Sequence, residues 1–192
     1  GSGPFERVYD EHVVGIYRFV YARVGNHPDA EDLTAQVFVR AVCTATLGAC
    51  EGALEAFIEV AKTRQAGPVK MKNDLFARQL AAEVKTSIEE MKLTMIRNFD
   101  AMMDCCRAGV PIPIEDRVRY RYDSAVVADR CLALSSRMLK AAGSSGIRLD
   151  SELLAFHLDI LASQAHVANH STPFAINMGG MMFGEENVDF AV

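Results

Sequence analysis

A helical pattern runs without interruption from Pro28 to the break at Gly67-Pro68. Apolar residues continue along this stretch, and neither a proline nor a cluster of loop residues divides it. Pro28 stands where a first helical residue is tolerated, and the acidic residues just after it suit the positive end of a helix. The sequence therefore predicts one helix of more than thirty residues. Gly48 and Gly52 are its weak points, because glycine disfavours helix interiors.

Four further helices are predicted from apolar spacings of three and four. One precedes Gly25, one carries Leu80 to Met103 and ends at a Gly109 cap, one covers about 117–142, and one starts at Asp150 or Ser151 and ends between His166 and His170. No segment shows a convincing strand period, and the tail over 171–192 is expected to be irregular. These features predict an all-α fold. Its form is an up-down four-helix bundle with an N-terminal helical hairpin, joined through the long continuous helix.

The composition favours a packed protein without a nucleic-acid partner. Half of the residues are apolar and 23% are charged, as in ordinary globular chains. The net charge is -5 and the pI is near 5.5, so bulk attraction to a phosphate backbone is disfavoured. No direct contact with nucleic acid is expected. Arg117, Arg119 and Arg121 form a basic cluster with two tyrosines, but nearby acidic residues nearly neutralise it.

The five cysteines are odd in number and lie within helical patterns, which is typical of reduced thiols in a cytosolic chain. None forms a CxxC pair, so a cysteine-based zinc site is not predicted. No stretch has the roughly 18 to 20 apolar residues of a membrane span, and the N-terminus lacks signal-peptide features. A cytoplasmic location without membrane contact is expected. Residues 1–4 have the composition of a tag or linker remnant.

The first segment, residues 5–42, contains the run Asp29-Ala30-Glu31-Asp32-Leu33-Thr34, followed by Val37-Phe38 and Arg40-Ala41. It resembles the first half of region 2 of extracytoplasmic-function sigma factors. The resemblance implies a helical hairpin that docks on RNA polymerase or is held by an anti-sigma factor. Its contact residues would be Asp29, Glu31, Asp32 and Gln36. The later, promoter-melting part of region 2 and the helix-turn-helix of region 4 have no counterpart after residue 42.

The second segment, residues 43–170, carries different motifs. They are Leu47-Gly48-Ala49-Cys50-Glu51, Arg121-Tyr122-Asp123-Ser124-Ala125 and Leu153-Leu154-Ala155-Phe156-His157-Leu158-Asp159. These resemble the C-terminal helical domain of acyl-CoA dehydrogenase-like flavoproteins, in particular the flavin monooxygenases that hydroxylate aromatic rings. The resemblance implies a homo-oligomer whose bundles form the core and supply one wall of an FAD or FMN site. The family's N-terminal helical domain and middle β-domain, which supply most of that site, have no counterpart here.

The resemblance assigns cofactor contacts to Arg121, Asp159 and His166, with His166 near the flavin ring as the one candidate catalytic residue. Where the family usually has arginines before Asp159, this chain has Phe156 and Leu158. His166 and His170 share a helix face, but the intervening glutamate of a zinc motif is absent. Structural or capping roles are the simpler reading of these histidines. No metal site is predicted.

Three functions follow as hypotheses. The chain is the helical domain of a flavin oxygenase or dehydrogenase that oligomerises without catalysing alone, or a transcription protein that binds polymerase through its hairpin. The third is a chimera in which neither activity survives, and whether the chain is an enzyme stays open. Because the long helix spans residue 42, the two segments are expected to share one core.

Overall fold

The computed structural model describes residues 4–66 and 69–189. The side chains of residues 4–10, 28, 29, 32, 36, 38–42, 65, 66 and 69 lie outside the described part. The α-helices are α1 (Pro4–Val24), α2 (His27–Thr63), α3 (Leu75–Ala108), α4 (Ile114–Ala142), α5 (Glu152–Gln164) and α6 (Ser171–Met182). The prediction of an all-α fold is confirmed.

The long helix is confirmed as well, because α2 runs through residue 42 without a break. A two-residue antiparallel ladder follows it, in which β1 (Gln65–Ala66) pairs with β2 (Val69–Lys70). The sequence showed no strand, because two residues are too few to display a period of two. The ladder closes the connection between α2 and α3.

Helices α2 and α4 form the centre of the bundle, and each packs on both α3 and α5. The core between them is built from side chains that are almost wholly buried, among them Phe57, Ile88, Met138, Leu153 and Ile160. Gly109 caps α3 in the left-handed conformation with φ 66°, as its position predicted. α6 packs on the outer side of α4.

Among the described side chains of residues 11–37, none belongs to this core cluster. The continuous cluster of buried apolar side chains begins at Cys43, close to the point where the two sequence resemblances meet. On the hairpin side of that point, Ala30 and Thr34 are buried. α1 packs on α2. The shared core of the two segments stays a prediction, because the side chains of residues 38–42 lie outside the described part.

Two expectations for the C-terminal part are corrected. α5 ends at Gln164, and a 3-10 turn over Val167–Asn169 replaces its predicted last turn. There His166 Nδ1 accepts a hydrogen bond from the amide of Ala168 over 3.2 Å, so the imidazole caps the new turn.

The tail expected to be irregular contains α6, whose third residue is Pro173. A proline is tolerated in the first turn because the amide it lacks has no intrahelical partner there. Beyond α6, the buried Asn177 accepts from the amide of Val188 over 2.9 Å and donates to Asn187 Oδ1 over 2.8 Å. This fixes the last described residues against α6.

The glycines of α2 give a first testable contrast. A Cβ at Gly52 would lie 2.5 Å from Phe156 Cζ, whereas a Cβ at Gly48 would meet nothing within 4 Å. Gly48→Ala should gain about 1 kcal/mol in unfolding free energy, because alanine favours the helix. Gly52→Ala should lose about 1–2 kcal/mol, because displacing the Phe156 ring outweighs that gain. Urea unfolding followed by circular dichroism measures both, and equal shifts would contradict the close approach of Phe156.

Candidate functional site

A cluster of buried polar groups lies where the Val167–Asn169 turn meets α2 and α4. Asn169 is fully buried, and its Nδ2 donates to the carbonyl of Ser163 over 2.8 Å. The thiol of Cys43 donates to the carbonyl of Ser124 over 3.0 Å and lies 3.9 Å from Asn169 Oδ1. We call Cys43, Ser124, Ser163 and Asn169 the Asn169 cluster. Its hydrogen bonds connect α2, α4, α5 and the turn, as buried polar groups require.

Arg121 lies beside this cluster on α4. Its Nη1 donates to the carbonyl of Ala168 over 3.2 Å, and its guanidinium lies 4.0 Å from the centre of the Phe174 ring. Burial lowers the pKa of Arg121, while the carboxylate of Asp189 acts in the opposite direction. The side chain stays charged, since arginine ionises far above neutral pH. The site therefore contains a half-buried cation with several N–H donors.

His166 bonds the neighbouring peptide group, on the N-terminal side of Ala168. Because its Nδ1 accepts from the amide of Ala168, the neutral ring carries its proton on Nε2. Arg121 bonds the carbonyl of Ala168 and His166 bonds its amide, so these two predicted site residues are neighbours in the fold. Together they place a guanidinium and an imidazole N–H at one end of the bundle.

Cys43 is the buried thiol of the site. Cys43 is only 1% exposed. Burial raises the pKa of its thiol to about 12, although the positive charge of Arg121 acts to lower this pKa. A thiol with this pKa is protonated at neutral pH and is a poor nucleophile. Cys43 therefore serves here as a hydrogen-bond donor in a packed wall.

Asp159, the third residue assigned from the resemblance, is not brought to Arg121 and His166. It is exposed on α5 and makes no hydrogen bond or ion pair with any residue whose side chain is described. His157, two residues earlier, faces the bundle, where its Nδ1 lies 2.9 Å from Ser135 Oγ and burial lowers its pKa. The two residues therefore lie on different faces, as their spacing predicted.

The predicted polymerase contacts lie on the first turns of α2. The side chains of Asp29, Asp32 and Gln36 are outside the described residues, and Glu31 is exposed. Their helical setting agrees with the hairpin expected from the sigma-factor resemblance.

Other candidate clusters take ordinary structural roles. Arg119 pairs with Asp116 at 2.7 Å in the first part of α4, in line with the neutralisation expected there.

Among the described side chains, no group of three His, Cys, Asp or Glu residues could hold a metal ion. Within the same part of the chain, every helix is too short or too polar to cross a membrane.

Sequence reasoning missed much of the site. Asn169 comes from the turn and Asp189 from the tail, where no periodic pattern marks a buried residue. Ser163 is a polar residue near the end of α5, and Phe174 lies in α6, the helix that the sequence did not predict. The only available signal was the polar run Asn169-His170-Ser171 at the end of an apolar helix, which is typical of a cap or turn.

Comparison with known proteins supports both resemblances. The family model described as "Acyl-CoA dehydrogenase, C-terminal domain" matches residues 41–171. The oxygenase subunit HsaA of a flavin-dependent monooxygenase from Mycobacterium tuberculosis is 29% identical over 115 residues, which are 60% of this chain and 29% of HsaA. The sigma factor BldN of Streptomyces coelicolor is 47% identical over 41 residues, or 21% of this chain and 16% of BldN.

Solved structures agree on the fold. The crystal structure of HsaA superposes with a TM-score of 0.71 at 25% identity, covering 86% of this chain and 40% of HsaA. XiaF from Streptomyces, solved with FADH2 and glycerol, superposes with a TM-score of 0.78 at 18% identity, covering 91% of this chain and 45% of XiaF. The chain spans less than half the length of each of these relatives. Since the family model matches more than half of its residues, this chain belongs to the family of acyl-CoA dehydrogenase C-terminal domains.

Proposed function

We propose that residues 43–170 act as the oligomerisation domain of an acyl-CoA dehydrogenase-like or aromatic monooxygenase-like flavoprotein and supply one wall of its flavin site. The observation that carries the proposal is the apolar outer surface of α5. Leu158 is 52% exposed and Leu161 is 43% exposed, three residues apart on one helix. Neighbouring exposed leucines on a folded bundle favour contact with a second copy of the chain.

Sedimentation velocity tests the oligomerisation. The wild-type chain is expected to sediment as a dimer or larger species, and Leu161→Glu is expected to shift it toward the monomer. Leu149→Glu is the matched control, because Leu149 is 99% exposed in a turn outside the bundle. A wild-type chain that stays monomeric at high concentration would refute this part of the proposal.

The flavin wall is proposed from Arg121 and His166. An isoalloxazine ring offers carbonyl and ring-nitrogen acceptors, which suit the guanidinium and the imidazole N–H beside Ala168. A bound flavin would supply redox chemistry, and these residues would hold and orient its edge. We propose that the chain does not catalyse alone, because two donor side chains on one side of a flavin ring do not form a closed binding site. Either FAD or FMN fits these donors.

A flavin titration followed by absorbance tests this wall. Reduced flavin is expected to bind weakly, and His166→Gln should weaken binding about fivefold through the loss of one hydrogen bond. His170→Gln is the control, because His170 is exposed four residues further on. The proposed flavin role is refuted if the oligomer binds no flavin, or if the two variants bind flavin equally well. Either result leaves the oligomerisation role unaffected.

A second candidate function is a contact between the hairpin and RNA polymerase or an anti-sigma factor. The observation that favours it is the 47% identity to BldN over 41 residues. Core polymerase immobilised on beads is expected to retain the chain, and Asp32→Arg is expected to release it. Glu55→Arg, at an exposed position in the second half of α2, is the control. If neither flavin nor polymerase binds, the chain is a helical chimera with neither activity.

A further inference from the structure

An apolar groove lies between the hairpin and the C-terminal half of α3. It has a volume of about 420 Å³ and is lined by α1, α2 and α3, with Ile16 and Val20 facing Phe99, Met102 and Met103. Volumes of about 300–1,000 Å³ with apolar walls and a few polar groups are typical of small-molecule sites. The groove is separate from Arg121 and His166, which lie beside α4 and the Val167–Asn169 turn.

The length of the groove suits an elongated ligand. Its lining on α1 extends from Gly15 to Val24, which is about 14 Å of helix. An extended aliphatic chain can lie along this length against the apolar side chains that line the groove.

Among the described lining residues, charge lies at one end of the groove. Among the described lining residues Arg23 alone is charged, and it lies at the Val24 end of α1. Its guanidinium lies 3.5 Å from the centre of the Phe19 ring and donates to the carbonyl of Phe19 over 3.1 Å. No described carboxylate pairs with it, whereas the nearby Arg107 is paired with Asp104 at 2.7 Å. The remaining donors of Arg23 are suited to an anionic head group.

We infer that this groove binds a single-chain aliphatic carboxylate, with its chain along α1 and its head group at Arg23. Methionines in the wall favour such a ligand, because their flexible side chains adapt to a chain without fixed shape. The inference does not depend on flavin binding or on polymerase binding.

Gly15 provides the decisive variant. A Cβ at this position meets nothing within 4 Å, so Gly15→Leu places a side chain in the groove without a clash and favours the helix. Gly48→Leu is the matched control, since Gly48 is also an open glycine within a helix but lies outside the groove. In the full chain, cis-parinaric acid should become fluorescent on binding. Gly15→Leu should weaken this binding at least about tenfold, and Gly48→Leu should leave it unchanged.

The head group is tested by competition. Dodecanoate should displace the probe better than dodecanol, and Arg23→Gln should weaken dodecanoate about fivefold while leaving dodecanol unchanged. Arg107→Gln should change neither. Equal effects of Gly15→Leu and Gly48→Leu would overturn the inference. So would a dimer that Gly15→Leu dissociates without probe binding, because the groove would then be a contact between two copies.

Discussion

The Phe57→Ala variant is expected to lose about 3–5 kcal/mol of unfolding free energy, the largest effect of any substitution considered. Phe57 is 1% exposed and lies in the core cluster formed by the bundle helices. Removing its ring withdraws a large apolar surface and leaves a cavity that closely packed neighbours cannot fill. Since domains of this size are stable by about 5–15 kcal/mol, the variant should unfold at much lower urea concentration.

Urea unfolding followed by circular dichroism at 222 nm, the usual helix signal, measures this loss. Phe76→Ala is the matched control, because Phe76 is 81% exposed near the start of α3. Its unfolding free energy should change by less than about 0.5 kcal/mol. A loss of similar size in both variants would contradict the position of Phe57 in the core.

The helices of the bundle could be predicted because their core positions recur in the sequence. A spacing of three and four places Leu80, Val84, Ile88, Met91 and Met95 on one face of a helix, and all five are buried in α3. A helix that buries one face must repeat apolar residues every three or four positions, so the pattern is local and visible. The fold class therefore follows from the sequence with little tertiary information.

The site could be predicted only in part, because tertiary contacts assemble it. Arg121 and His166 were assigned from the family resemblance, and in the structure they bond the carbonyl and the amide of the same residue, Ala168. Asn169 lies in a turn and Asp189 lies in the tail, where no periodic pattern indicates which residues join the site. Asp159 has the right place in the motif but an exposed place in the fold.

The region near residue 42, where the two resemblances meet, could also be predicted only in part. The sequence located it near residue 42 and predicted that a helix crosses it, which the structure confirms. Helix continuity alone does not decide whether the two segments share one core. Among the described side chains the buried apolar cluster begins at Cys43, and an apolar groove lies between α1 and α3. A common core for the two segments therefore stays a prediction.

The thiol of Cys43 should make the fold sensitive to alkaline pH. Its pKa in the fold is about 12, against an ordinary value of 9.0, because burial disfavours the thiolate. Below pH 9 both folded and unfolded chains keep the proton, so the stabilising contribution is complete. Above pH 9 the unfolded chain releases the proton first, and the free energy of unfolding falls as pH rises. By pH 10.5 this thiol alone should cost about 2 kcal/mol, and by pH 12 about 4 kcal/mol.

Comparing Cys43→Ala with the wild type isolates this effect, since lysines, tyrosines and the other thiols titrate in both chains. At pH 7.5 the variant should be less stable by about 1–2 kcal/mol, because it lacks the sulfur and the hydrogen bond to Ser124. As pH rises to 10.5 that difference should disappear, because the variant has no buried thiol to ionise on unfolding. Urea unfolding in the presence of a reductant measures it, with Cys105→Ala as the control for a partly exposed thiol. A constant difference between pH 7.5 and 10.5 would show that Cys43 is accessible to solvent, and the wall beside Arg121 would then be open.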